Sequence, residues 1–226
     1  MKRLSFAVLT ALVAVPAFAQ TAPPQTPPAA QAPAQQQQRS PEPPLGPNQW
    51  RLDGNHSAAH FSVRHLMVST VRGQLGRISG TVEYDGKDIQ TVKADVAIDV
   101  SGIDTHNENR DKHLRTADFF DAATYPTITF KSKRAEPGTA GRFKLIGDLT
   151  IRGTTKEVVL DVEGPSPVTK TQRGIASGAT ATTKINRLEY GLKWNNMIEA
   201  GPVVSDEVTV TIDLELTRPA PPGTAQ

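Results

Sequence analysis

The 226-residue chain has no cysteine. Thiol nucleophiles, disulfides, iron–sulfur ligation and covalent c-type haem attachment are thereby excluded, and stability must come from an ordinary core. No apolar run reaches the roughly 18 residues that a membrane-spanning helix needs. Neither sign of charge dominates: the formal net charge is +2, and Lys2 and Arg3 supply that excess. A near-neutral chain carries no overall electrostatic footprint for nucleic acid or an anionic membrane.

Catalytic and metal motifs are also missing. There is no G-x-S-x-G and no H-E-x-x-H, and Gly73, Gly76 and Gly80 fit neither dinucleotide nor P-loop spacing. His106 and His113 are two helical turns apart, roughly 10 Å, too far to share a small ion unaided. Asp104 cannot open an EF-hand, because Asn109 stands where glycine is required and Arg115 where the bidentate glutamate belongs. His56 and His60, if they lie on a strand, are over ~12 Å apart. We therefore expect no metal.

What is present begins with an export signal. Lys2 and Arg3 precede the apolar run Leu4 to Val15, and Ala17-Phe18-Ala19 has the small-x-small form of a cleavage site, so residues 1–19 are expected to be removed on export to the periplasm. Residues 20–47 hold nine of the 18 prolines and seven glutamines but no aromatic residue, the composition of a disordered tether. A similar short tail is expected over 218–226. Between them, 48–217 reads as one domain.

That domain alternates with period two, the signature of strands with one apolar face. Val92, Ala94, Val96, Ile98 and Val100 alternate with Lys93, Asp95 and Asp99, and Val208, Val210, Ile212, Leu214 and Leu216 with Glu207, Thr209, Thr211, Asp213 and Glu215. Further runs at 57–64, 77–85, 127–133, 143–152, 155–163 and 175–185 bring the expected total to eight antiparallel strands. Arg152-Gly153 predicts a tight hairpin. One wet face per strand predicts an all-β closed barrel or sandwich. Ala176, Gly178, Ala179, Ala181 and Thr183 are small enough to leave room inside it. Three insertions, 66–75, 104–120 and 187–205, carry apolar residues with no strand to bury them, among them Met67, Phe119, Phe120, Trp194 and Met197.

The insertion at 104–120 reads as a short helix closing one end. Thr105 and Glu108 have capping-box spacing, and Glu108–Lys112 and Asp111–Arg115 are favourably ordered i, i+4 pairs.

These residues resemble the YceI-like, polyisoprenoid-binding periplasmic proteins. The similarity runs in order through Trp50-x-Leu52-Asp53, Phe61-Ser62-Val63-Arg64-His65-Leu66, Val68 to Gly73, Ile103-Asp104-Thr105, Asn109-Arg110-Asp111-x-His113-Leu114-Arg115, Asp118-Phe119-Phe120-Asp121, Tyr125 to Phe130, Gly147 to Thr155 and Ile185-Asn186-Arg187. The chain departs from the family at 199–205, where relatives often have a glycine-rich loop. The resemblance implies an eight-stranded antiparallel lipocalin-like barrel with an elongated apolar interior that holds an isoprenoid or similar amphiphile, without metal, cofactor or turnover.

On this reading an apolar tail lies along Phe61, Val63, Val96, Ile98, Phe130, Leu149 and Val210. Met67, Phe119, Phe120, Trp194 and Met197 close over it, and a polar head meets Arg110, His113 or Arg115. The ligand is a long-chain lipid, no nucleic acid is involved, and a homodimer is compatible with the arrangement. Two other readings stand beside it: an enzyme using His113 or His65 as general base in the same cavity, and a ligand-free stress-protective or interaction domain with a filled core.

Overall fold

Alternating apolar and charged residues can satisfy both core and solvent only if the strands share one inner face, and the sheet does so by closing on itself. The computed structural model describes residues 44–139, 141–198 and 201–220, with the side chains of 197, 198, 201 and 202 left aside. The expected export signal, most of the tether, the end of the tail and the side chain of Met197 lie outside the described residues.

The strands are β1 (Gln49–Leu52), β2 (Ala58–His65), β3 (Ser69–Glu83), β4 (Lys93–Asp104), β5 (Thr127–Pro137), β6 (Arg142–Ile151), β7 (Thr154–Glu163), β8 (Thr169–Thr171), β9 (Gly174–Asn186), β10 (Met197–Ile198), β11 (Gly201–Pro202) and β12 (Val204–Arg218). One helix, α1 (Glu108–Leu114), follows β4. Every pairing is antiparallel, and the ring runs β2–β3–β4–β5–β6–β7–β9–β12 and back to β2. This closed eight-stranded barrel is the expected architecture, and closure removes the exposed edges of an open sheet. β1 continues the position of β2, pairing with β12 at Arg51–Thr217 and with β3 at Trp50–Val82.

Seam lengths are uneven. β9 and β12 pair over twelve residues, from Glu207–Asn186 to Arg218–Ile175, whereas β7 and β9 share three pairs at one end. Arg152 (φ 48°) and Gly153 (φ 72°) make the expected tight turn between Ile151 and Thr154. Gly76 serves geometry, not phosphate. At φ 66° it occupies a bulge between Leu75 and Arg77, where an added Cβ would lie 1.9 Å from the Asp99 carbonyl oxygen. Only glycine permits that approach, which bends the long β3 round a barrel corner.

Two expectations about the strands need correction. Residues 69–75 are not an insertion but the first half of β3; only 66–68 form a turn. On β9, Ala179, Ala181 and Thr183 face inward, while Ala176 and Gly178 do not line the interior. Successive residues of a strand alternate faces, so those two belong to the outer parity.

Candidate functional site

The inward residues enclose a cavity of about 680 Å³, well inside the roughly 300–1,000 Å³ of small-molecule sites. It is long: β3 alone contributes lining residues from Ser69 to Val82, roughly 40 Å of strand at about 3.3 Å per residue. The walls are apolar. Apart from Tyr84 at the far end and Thr183 on β9, the polar lining side chains gather at one end: His65, Ser69, Asn109, Arg110, His113 and Arg187. That end is the mouth, where α1, the 66–68 turn and the residues Arg187, Leu192, Trp194 and Val203 come together.

Local chemistry sets the α1 side of the mouth. The helix is capped by Asn107, whose side chain accepts the Arg110 N–H at 3.0 Å, and not by Thr105 as the capping-box spacing suggests. Thr105 is occupied otherwise. Its backbone N–H donates to Asp111 Oδ1 at 3.0 Å and its hydroxyl donates to the same oxygen. Asp111 is buried, so its carboxylate takes the nearest donors, and the expected Asp111–Arg115 pair does not form. Arg115 instead donates to the Ile103 carbonyl and does not line the cavity. The Glu108–Lys112 pair is present at 2.9 Å.

Arg110 folds back on Thr105, its Nε donating to Oγ1 and its Nη2 to the carbonyl, each at 2.7 Å. This holds the guanidinium at the cavity rim, and among the described residues Nη1 has no protein acceptor. A rim arginine with a spare donor is suited to an anionic or carbonyl head group.

The two flanks of the mouth touch through aromatic rings. His113 meets Phe119 and Trp194 edge-on, each at a centroid distance of 5.1 Å, and Phe119 lies 5.2 Å from Trp194. His113 Nε2 is also 2.8 Å from Asp118 Oδ2. Beneath Trp194 sits Arg187, a buried guanidinium donating to the carbonyls of Leu192, Trp194, Val204 and Ser205, with Asp206 3.5 Å away. Burial lowers its pKa, and the Asp206 carboxylate opposes that shift. Arg187 thereby ties the end of β9 to the start of β12. Next to it, burial pushes the Tyr190 phenol up to about 12, so the ring enters the core neutral.

Of the fourteen residues expected to meet ligand, twelve line this cavity: Phe61, Val63, Val96, Ile98, Arg110, His113, Phe119, Phe120, Phe130, Leu149, Trp194 and Val210. Met67 does not. It lies outside the lining, 55% exposed, because Leu66 and Met67 form a turn with φ of 52° and 56° that points it away from the barrel.

A family model for the YceI-like domain matches residues 50–216. The chain belongs to the YceI-like family. A UPF0312 protein of Staphylococcus aureus strain N315 is 39% identical over 157 residues, covering 68% of this chain and 87% of that protein. The crystal structure of the Campylobacter jejuni YCEI protein is similar with a TM-score of 0.59 at 31% identity, over 69% of this chain and 90% of that one. Burkholderia cenocepacia BcnA, with a TM-score of 0.64 and 23% identity over 74% of this chain and 99% of its own, shares the fold. So does a polyisoprenoid-binding domain from Saccharophagus degradans, with a TM-score of 0.57, 17% identity and coverage of 75% and 98%.

Residue reading of the YceI-like barrel did not anticipate Arg187 as the organiser of its mouth, although Ile185-Asn186-Arg187 stood out as a block. An arginine at the end of an apolar strand was the available signal. Nor did it anticipate Asp53, His56 and Glu215, whose ligand atoms lie within 4.8 Å of one another where β1 gives way to β2. The backbone N–H of Asn55, then His56, hold the Asp53 carboxyl below its usual range, and Asp53 raises the pKa of His56. His56 is exposed and the two carboxylates are half-buried, and the hydrogen bonds of Asp53 account for the trio as a joint in the broken strand.

Proposed function

We propose that this protein binds, and carries or stores, a long apolar molecule in the barrel: a polyisoprenoid or comparable long-chain amphiphile. The observation that carries the reading is the cavity itself, long and predominantly apolar, with its two arginines and two histidines concentrated at one end. A tail inserted along Val96, Ile98, Phe130 and Val210 gains about 0.8 kcal/mol per buried methylene, and a polar head stops at Arg110 and His113. The polyisoprenoid-binding domain among the structural neighbours supports the ligand class, and the expected export signal supports a periplasmic setting.

Native purification, organic extraction and mass spectrometry test this directly. A co-purifying lipid is expected, and a polyprenyl phosphate at about 100 times its Kd should stabilise the protein by about 2.7 kcal/mol. Absence of any co-purified lipid together with an unmoved Tm would sink the carrier reading in favour of a filled or ligand-free domain.

One observation favours a second reading. His113 faces the cavity and is bonded to Asp118, the arrangement of a histidine general base held by a carboxylate. Incubation with candidate lipids separates the two. A carrier returns its ligand unaltered and His113→Gln still binds, whereas an enzyme yields a product that this variant does not make.

A further inference from the structure

The turn between β2 and β3 has an unusual composition for its geometry. Positive φ at two consecutive central residues normally selects Asn-Gly or Gly-Gly, because a side chain strains that backbone. Here the positions are Leu66 and Met67. The turn is nevertheless held tightly. The Val68 N–H donates to the His65 carbonyl, the Leu66 N–H donates to Val203, and Arg64 donates from Nη2 to the Met67 carbonyl and from Nη1 to Thr70. The outcome is a fixed tip that presents Met67, 55% exposed, and Val68, 80% exposed, to the outside. They are among the most exposed large apolar residues of the described chain, and the flanking His65 and Ser69 line the cavity mouth.

Among the described residues, the charge around the tip that has no ion-pair partner is positive. Arg64 and Arg72 are diagonal neighbours on the outer face of β2 and β3, exposed and without an ion pair among the described residues. The adjacent carboxylates, at the start of β12, are already engaged: Asp206 with Arg187 and Glu207 with Lys184. The near-zero net charge of the chain therefore does not describe this end of the barrel.

We propose that the 66–68 tip is a membrane-docking element: Met67 and Val68 enter the interface of a phospholipid bilayer, Arg64 and Arg72 face anionic head groups, and the cavity mouth is brought onto the surface from which an apolar ligand is collected. This rests on the carrier reading, since it gives that cavity its source. A bilayer fits better than a protein groove because the apolar surface is a small convex tip with a cationic shoulder, the pattern of interfacial anchors. It also gives Met67 a role outside the cavity.

The test uses sedimentation of the full chain with vesicles of phosphatidylcholine containing phosphatidylglycerol, and with phosphatidylcholine alone. The wild type should partition onto the anionic vesicles and be released by salt. Val68→Asp, at an open site, and the double variant M67D/V68D should each lower partitioning about tenfold or more. Arg72→Glu should weaken only the anionic arm. Val168→Asp, an equally exposed apolar site at the opposite end of the barrel, should change nothing. Binding of a fluorescent polyene fatty acid without vesicles should be the same for all, while its transfer from vesicles slows in the tip variants. Failure of the wild type to sediment with either vesicle, or equal losses in Val168→Asp, overturns the proposal. Vesicle binding without any fatty-acid binding would instead overturn the carrier reading and leave the docking tip standing.

Discussion

The wall built from β4 to β7 and the wall built from β9, β12 and β2 face one cavity but are made differently. On the first, Val96, Ile98, Ile128, Phe130, Leu145 and Leu160 are buried. On the second, Phe61, Val63, Ala179, Thr183, Val208, Val210, Ile212 and Leu214 also point inward yet stay partly accessible. Bulky branched and aromatic side chains fill their share of the interior, whereas the alanines and threonine of β9 do not. The open wall compensates with the longest ladder in the barrel, β9–β12, and with the Arg187 clamp at its end. It also borders the shortest seam, β7–β9. The packed wall supplies stability, and the open one supplies volume.

If that contrast holds, truncation should separate the walls most sharply. Phe130→Ala should cost about 3–5 kcal/mol, read as a fall in denaturant midpoint. Val210→Ala should cost roughly 1 kcal/mol or less, since its neighbourhood is already open, while weakening ligand binding. Equal costs would break the comparison. Next in size is the clamp. Arg187→Met leaves buried carbonyls without donors and should destabilise by about 3 kcal/mol, and Arg187→Lys should recover little, because one ammonium cannot reach the same set of acceptors. Filling the void is milder. Ala179→Leu, which in a packed core would cost about 1–3 kcal/mol, should be nearly neutral for stability but should reduce lipid affinity.

The outer faces should matter least. Asp53 has a folded pKa below its unfolded value, so its contribution is present above the ordinary aspartate pKa of about 4 and fades as pH falls through the lower folded value. Asp53→Asn should remove only a small acid-side component of the stability–pH curve, measured by denaturation between pH 2 and 5. A large loss at neutral pH would mean that the joint between β1 and β2 carries structural weight of its own.

Particular residues show where sequence reading succeeded and where it stopped. The alternation in β4, β6 and β12 was legible because charged or hydroxyl-bearing residues occupy most outward sites, such as Lys93, Asp95 and Asp99 in β4 and Thr209, Thr211 and Asp213 in β12. In β9 it failed, since alanine, glycine, serine and threonine are tolerated on either face, and Ala176 and Gly178 were placed on the wrong one. The Thr105 cap was misplaced because Asn107 satisfies the same donor requirement two residues later, freeing Thr105 for buried Asp111. Met67 looked like a cavity residue by composition, but backbone dihedrals at the turn, invisible in a list of side chains, direct it outward.

Period-two patterning by itself determined that this protein is an antiparallel sheet with one apolar face, and a helix-forming interruption with Phe119-Phe120 marked one end. Local propensity and polarity suffice for that, because each strand's pattern is written within about ten residues. Closure of the ring, the clamp by Arg187 and the hollow beside β9 were decided only in three dimensions. A cavity is the volume left over when side chains from eight distant strands are summed, and no segment of the chain contains that sum.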